Sequence, residues 1–443
     1  MIHTHRVRDY IKAIGWHIGR NRASAAYSRS DLQVVHAKLN ILRKRWMAKL
    51  KKDDMAQPQY RFPVKEIPKN LPPENVETIR AITDINRNAN LSEYMYQADI
   101  ILTLAQIEQI AENDENQERV RRQAYRDRFY PNTIWDKTFY YYFAPTATDT
   151  VKTVLKAAAQ YWQQNTCIKF VESRTEGFLT APNRVRVLKG DGCYSYVGKV
   201  GGVQDLSLGK GCESVGTAAH ELGHALGFFH SQSRVDRDDF IRVLVDNIQP
   251  EFVDQFGKES TATNYNYGMP YDYGSIMQYG ATSASRNGRN TMVAKLANYQ
   301  QTMGSDIVAF YDVSMMNEHY NCKVQCPQDS SANCQNGGYP NPNDCTICNC
   351  PSGYGGPLCN ERPSGCGDIL IAGPSYSLML SHVGDGTRQT KMDFKRCNYW
   401  IKAPQGKRVQ VRLENYEGFG ADGCIYGGVE IKAHPDQLRT GYR

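Results

Sequence analysis

An α+β chain of several domains is what this sequence predicts, with a small disulfide-rich module and a partial all-β sandwich after its main body. Three observations carry that expectation. From Trp135 onward strand-like and helix-like patterns follow one another, the 13 cysteines all fall after residue 166 with six of them between Cys326 and Cys359, and past Cys366 apolar residues alternate as in strands. At 443 residues, with 41% hydrophobic and 11% aromatic residues, the chain has room for two to four domains and can fill ordinary cores, which excludes a disordered protein. The formal charge of +7 belongs to the amino-terminal arm, because residues 1–60 hold 13 Lys and Arg against 4 Asp and Glu. No nucleic-acid partner is expected. No run approaches the 18 or so apolar residues of a membrane span. The opening MIHTHRVRDYIKAIGWHIGR is basic and its apolar patch is broken by Lys12 and His17, so no signal peptide is read there.

Taken in order, residues 31–52 have helical apolar spacing with a strongly basic face, and a proline-punctuated linker, QPQYRFPVKEIPKNLPP, follows. Such a helix can bind an acidic surface, but a solvated helix is the favoured reading. Arg119, Arg121 and Arg122 then form an R-x-R-R site of the kind a furin-like convertase cuts, in a polar segment. KTFYYYFAP reads as a strand, DTVKTVLKAAAQYWQQN as a helix with Thr148 at its N-cap and Asp149 in its first turn, and NRVRVLKG as a further strand. The cysteine-rich stretch has no histidine and too much Gly, Pro and Asn for a packed core, so disulfides are its expected staple and an oxidising compartment its expected setting. A zinc ribbon would need a second CxxC beside CTIC, and none is present.

The chemistry is concentrated in TAAHELGHALGFFHSQSRVDRDD, residues 217–239. On a helix His220 and His224 project from one face, four residues apart, and can meet one cation. Glu221 lies beside them, offset so that it reaches a water in an open metal position without ligating the metal itself. Gly227 lets the backbone leave the helix and bring His230 round as a third ligand. Three neutral imidazoles leave the fourth tetrahedral position open, which is the arrangement of a catalytic zinc rather than a structural one.

The pattern HExxHxxGxxH is the metzincin signature, which needs a methionine turn downstream, and YDYGSIMQYG at 271–280 supplies Met277. Together with GCYSYVGKVGGVQDLSLGKGC, these segments resemble the astacin family of zinc endopeptidases across residues 123–322. The resemblance implies a two-lobed catalytic domain with one Zn2+, held by His220, His224 and His230. It makes Glu221 the general base, and Tyr279 a further ligand that swings off to stabilise the oxyanion. It implies disulfides joining Cys167 to Cys322 and Cys193 to Cys212. The sequence departs from the family at Ser231, where most members have a glutamate that helps hold the buried mature amino terminus, and at Gln278, where many have histidine. Without that glutamate a buried ammonium is poorly compensated, so the new terminus is expected to stay exposed or to cyclise through Gln123, and trimming it by one residue to change little.

Family zymogens carry an F-x-G-D motif whose aspartate caps the zinc, and EYMYQADIILT aligns Tyr96, Ala98 and Asp99 with it. Asp99 is therefore the candidate latency ligand, and Arg122 the cleavage point. Asn90, in Asn-Leu-Ser, is the glycosylation sequon. The spacing from Cys326 to Cys359 resembles an EGF-like module, whose pairing would be Cys326 to Cys345, Cys334 to Cys348 and Cys350 to Cys359. CGDILIAGPSYSLML and CNYWIKAPQGKRVQVRL resemble a CUB domain, implying a Cys366 to Cys397 bridge and leaving Cys424 without a mate. The expected organisation is an arm and propeptide over 1–122, a peptidase domain over 123–322, an EGF-like module over 323–361 and an incomplete CUB domain over 366–443. The order looks like that of nematode astacins, and a longer natural chain with a signal peptide is expected. The implied function is a secreted zinc endopeptidase, made as a zymogen and acting on extracellular proteins, with matrix or cuticle collagen as substrates by family analogy. The alternative is an adhesion protein using the EGF and CUB modules with an idle protease domain, which would be expected to have lost Glu221 or a ligand.

Overall fold

In the computed structural model the described residues are 29–56, 81–116, 124–173, 181–260, 264–387 and 391–443. The proline-punctuated linker, the R-x-R-R site ending at Arg122 and Gln123 lie outside them. The first element is a long helix, α1 (Arg29–Ala56), followed by α2 (Ile82–Asn88), β1 (Ile100–Ile101) and α3 (Leu104–Asn116). The sequence favoured a solvated arm helix; instead α1 buries Val35, Leu39, Leu42, Trp46 and Leu50. Their spacing of three and four residues makes one apolar stripe, which packs on α3 and on the short helix Pro250–Phe256 while the lysines and arginines keep to the other side. Arg43 crosses to Asp254 at 2.8 Å, so part of the basic face also has an acidic partner within the chain.

The main body is a six-stranded sheet. Its strands are β1, β3 (Thr138–Phe143), β4 (Lys169–Ser173), β5 (Arg184–Leu188), β6 (Cys193–Tyr196) and β7 (Val203–Leu208), in the order β1-β6-β7-β5-β3-β4. Only β6 and β7 pair antiparallel; β1 adds to the outer edge of β6 in parallel, with Ile100 opposite Ser195 and Ile101 opposite Tyr196. Helix α4 (Asp149–Asn165) starts at Thr148, whose side chain accepts from Val151 N, and buries Val151, Val154, Leu155, Ala158, Ala159 and Trp162 on one face. That face meets helix α5 (Val215–Ala225), capped by Ser214 Oγ, which accepts from Thr217 N at 2.9 Å.

Below α5 the chain forms a second lobe of short 3-10 helices and two small antiparallel ladders. One pairs β8 (Ile241–Val243) with β10 (Met292–Ala294), the other β2 (Ala124–Tyr125) with β9 (Asn264–Tyr265). Its core of Phe252, Phe256, Tyr271, Tyr273 and Tyr299 is separate from the core between sheet and helices. Helix α6 (Phe310–His319) closes the body, and Cys322 just past it bridges to Cys167.

Beyond it, β11 (Tyr339–Asn341) and β12 (Asp344–Asn349) form a hairpin that docks on the end of α4. Asn341, Asn343 and Asn349 donate to the carbonyls of Gln164, Thr166 and Asn165 at 2.8, 2.9 and 2.8 Å. Those carbonyls lack helical partners, so the hairpin caps the helix from outside. The bridges are Cys193–Cys212, Cys326–Cys345, Cys334–Cys348, Cys350–Cys359 and Cys366–Cys397, and Cys424 carries no disulfide. The alternating strands expected after Cys366 are not what the structure holds. It has only β13 (Ile369–Ile371) and β14 (Trp400–Lys402), paired in parallel, and an Ile431–Tyr442 bridge among the described residues. Leu378, Leu380 and Leu413 stay exposed, because among the described residues no second sheet lies over the apolar face that the alternation creates.

Candidate metal centre and active-site cleft

Helix α5 carries His220 and His224 one turn apart, and Gly227, at φ +111°, lets the chain double back to His230. Two buried indoles fix the helix: Trp162 Nε1 donates to Ala219 O at 3.1 Å and Trp135 Nε1 to Ala225 O at 2.8 Å. Met277 lies beneath it, fully buried, with its sulfur 2.8 Å from where a Cβ on Gly223 would fall. Any larger residue at 223 would push the turn away from the histidines.

All three imidazoles meet at their Nε2 atoms, 3.0 Å apart for His224 and His220 and 3.2 Å for His230 and His220. Each Nδ1 faces an oxygen that only accepts: Ile276 O at 2.7 Å, Phe228 O at 2.7 Å and Gln97 Oε1 at 3.0 Å. The Nδ1 atoms therefore carry the protons and the Nε2 atoms bare lone pairs, a tautomer inferred from these bonds. The Asp99 carboxylate adds to the same point, with Oδ2 at 3.3 Å from His220 Nε2 and 3.2 Å from His230 Nε2, and Oδ1 at 3.5 Å from His224 Nε2. Four ligand atoms within 4.8 Å of one another, with no proton between them, repel unless a cation sits among them. Three neutral nitrogens and one carboxylate oxygen are the donor set of a four-coordinate zinc. Burial keeps His224 and His230 in that neutral form, pushing the pKa of His230 down to about 3.

Glu221 is wholly buried beside this point, and neither of its oxygens has a hydrogen-bond partner among the described residues. Burial, with the Asp99 carboxylate adding to it, pushes its pKa well up. A buried carboxyl with open valences next to a metal point can exchange protons with whatever enters there. Tyr279 packs its ring on His230, centroids 4.4 Å apart, and its hydroxyl donates to Gln97 O. Ser231 Oγ donates to Ser275 Oγ at 2.9 Å, which donates in turn to Asp312 Oδ1, so the position of the family's glutamate is tied to the methionine turn through a hydroxyl relay. Gln278 Oε1 accepts from Tyr271 OH.

Asp99 arrives on a tight loop in which Gln97 and Ala98 have φ +47° and +70°, closed by a Tyr96–Ile100 bridge. Reading the sequence missed Gln97, whose amide joins His230 Nδ1 to Glu259 Oε1 (3.0 and 2.8 Å), and Glu259, which also accepts from Tyr96 OH. Gln97 fills the unspecified position of F-x-G-D, and only its adjacency to the motif could have marked it. Asn90 is exposed, at φ +57°. Gln123, the expected new terminus, lies outside the described residues; beside it Ala124 is fully buried, pairing with Tyr265 and Phe228, while Tyr125 N donates to Gly227 O at 2.8 Å. Backbone pairing thus holds the residue after Gln123 without any carboxylate at Ser231. No helix among the described residues is long and apolar enough to cross a membrane.

The family model described as Astacin, a peptidase family, matches residues 127–321. Over 94% of its length the chain is 49% identical to zinc metalloproteinase nas-31 of Caenorhabditis elegans, covering 70% of that protein. It is 38% identical to nas-32 of the same organism, over 81% of this chain and 54% of that one. Among solved structures, the hatching enzyme zinc-protease of Oryzias latipes is 30% identical over 44% of this chain and 98% of that one, with a TM-score of 0.40. The three-histidine centre, the methionine turn and the extent of the sequence matches lead to one conclusion: the chain belongs to the astacin family and is a zinc-dependent endopeptidase.

Proposed function

We propose that the chain is the zymogen of a secreted astacin endopeptidase, latent through Asp99 and activated by a furin-like convertase cutting after Arg122. In this reading residues 1–122 are arm and propeptide, 123–322 the peptidase, 323–361 an EGF-like module and 366–443 an incomplete CUB domain. Asn90 carries glycan. His220, His224 and His230 hold the zinc, and the observation that carries the assignment is the meeting of their three proton-free Nε2 atoms beside Glu221, which has no partner among the described residues. Bound zinc supplies Lewis acidity, polarising a carbonyl and lowering the pKa of water towards about 7.

The residues of the chain do the rest. Asp99 leaves with the prosegment and frees the point it occupies. The cleft left behind has β6 as its rim, whose backbone now pairs with β1 and can pair with an extended peptide substrate instead. Glu221 takes a proton from the attacking water as its oxygen joins the scissile carbonyl carbon, then delivers it to the amide nitrogen as the C–N bond breaks. Tyr279, released from Gln97 O, turns its hydroxyl to the oxygen on which negative charge develops. Extracellular proteins, matrix or cuticle collagen among them, are the proposed substrates.

The test compares processed wild type with Glu221→Gln on a fluorogenic peptide library. Wild type should cleave, and lose activity to a chelator. Glu221→Gln should bind one zinc per chain and turn over roughly 10²- to 10⁴-fold more slowly. Equal rates in the two proteins would sink the mechanism.

A further inference from the structure

The turn that carries Met277 and Tyr279 is gripped at both ends by residues from the far end of the chain, beyond the region that the family description matches. At one end Thr440 donates from N and Oγ1 to Asp272 Oδ2, at 3.1 and 3.2 Å. Asp272 Oδ1 accepts from Gly274 N at 3.0 Å. A Cβ on Gly274 would fall 2.4 Å from the Thr440 side chain, so the absence of one there makes room for the contact. At the other end Asp422 Oδ2 accepts from Thr282 N at 2.9 Å and from Thr282 Oγ1 at 2.6 Å. Three glycines allow this second approach. A Cβ on Gly280 would lie 3.2 Å from Asp422 Cβ, one on Gly304 2.7 Å from Gly280 Cα, and one on Gly423 2.0 Å from Gly304 O.

The grip is fastened to the lobe behind the turn. Gly423 N donates to Gln301 O at 3.0 Å, Thr302 Oγ1 to Gly441 O at 3.2 Å, and Arg443 Nη1 to Ser305 Oγ at 2.7 Å. Tyr442 packs on Tyr299 at 4.6 Å, and Tyr299 stacks on Tyr273 at 4.5 Å. Between the two gripped ends lie Ile276, whose carbonyl orients His220, and Tyr279, whose N donates to Gln232 Oε1 at 3.1 Å. Asp422 holds the backbone three residues past Tyr279, close enough to set where the phenol comes to rest.

We propose that Asp422 and Thr440 are positioning residues for the peptidase, fixing the Asp272–Thr282 turn so that Tyr279 meets the developing oxyanion. The proposal rests on the role given to Tyr279 above. A small displacement of a group that acts only in the transition state lowers turnover without weakening substrate binding.

The processed full chain is the protein to test. Asp422→Ala should lower kcat about tenfold with KM changed less than about twofold. Asp422→Asn, which keeps an oxygen for Thr282, should restore most of the rate. In a Tyr279→Phe background Asp422→Ala should add little, since both changes remove the same interaction. Amide exchange should quicken over 276–282 in Asp422→Ala and stay unchanged in α4 and α5, a readout that needs no turnover. If Asp422→Ala folds poorly, Thr282→Val, which removes the hydroxyl arm alone, serves for the same comparison. Full multiplication of the Asp422 and Tyr279 effects, or a lower melting point with kcat and local exchange unmoved, would overturn the proposal. A processed wild type without peptidase activity would instead count against the proposed function, and exchange over 276–282 would still judge the grip.

Discussion

At the scale of single residues, the cleft contains two side chains whose partners among the described residues are atoms of the loop before Asp99 or none. Tyr279 OH is bonded to Gln97 O, and Glu221 has no partner among the described residues. Tyr279→Phe in the processed enzyme should cut kcat on the order of 10²-fold and leave KM nearly unchanged, because a donor aimed at a developing charge contributes mainly in the transition state. A large rise in KM at constant kcat would remove that role. Asp99 is the side chain that reaches the same point from the other side of the cleft, against His220, His224 and His230. In a precursor that cannot be processed, Asp99→Ala should raise peptide cleavage at least about tenfold above the wild-type precursor, since a carboxylate on zinc excludes the water that reaction needs. The variant should stay below the mature enzyme, because Arg43–Asp254 and Trp46 still hold α1 on the peptidase lobe. A silent Asp99→Ala precursor would show that the rest of this segment, with β1 on the β6 rim and Gln97 against His230, closes the cleft without the carboxylate.

At the scale of elements, β2 and α6 each carry a consequence. Residues 124–125 are paired on both sides, to β9 and to the Gly227–Phe228 turn, with Ala124 fully buried. A mature form beginning at Ala124 would place an ammonium at that buried position, and should lose about 1–3 kcal/mol relative to one beginning at Gln123. Chemical denaturation of the two forms decides it, and equal midpoints would mean that the pairing dissolves after processing. At the end of α6, His319 is buried, Tyr267 OH lies 2.9 Å from its Nδ1, and burial, helped by the nearby Arg126, lowers its pKa to about 3. The folded chain keeps it neutral while the unfolded chain protonates it near 6.5, so its contribution is whole above 6.5 and drains away as pH falls towards 3. The associated slope approaches about 1.4 kcal/mol per pH unit on the acid side. His319→Gln should flatten the fall of melting temperature between about pH 6.5 and 4.5 relative to wild type; parallel curves would assign the acid loss to other groups.

At the scale of the whole molecule, the arm helix and the carboxy-terminal segment converge on one lobe. The arm helix lies on Pro250–Phe256 and the carboxy-terminal segment behind the Asp272–Thr282 turn. Much of the centre was legible beforehand, because helical and turn geometry convert short spacings directly into positions. HExxHxxGxxH needs only a helical period of about 3.6 residues and one glycine to bring three imidazoles together, and strand β3, helix α4 with its Thr148 cap and strand β5 announce themselves by period and cap. What was not legible depends on contacts between residues far apart in sequence. Nothing in the Lys- and Arg-rich arm says that its apolar stripe will find α3 and the peptidase lobe, and the same stripe on a solvated helix would read alike. Nor does Ser231 say that Ala124 pairs with Tyr265 and Phe228, a contact made across more than a hundred residues. The sequence by itself determined the catalytic family and the meeting of His220, His224 and His230 beside Glu221, because these follow from local periodicity and the chemistry of side chains a few positions apart. Only the tertiary structure decided that Gln97 stands between His230 and Glu259, and that Asp422 and Thr440 stand behind the catalytic turn, because long-range contacts come from burial of whole surfaces and leave no spacing to read.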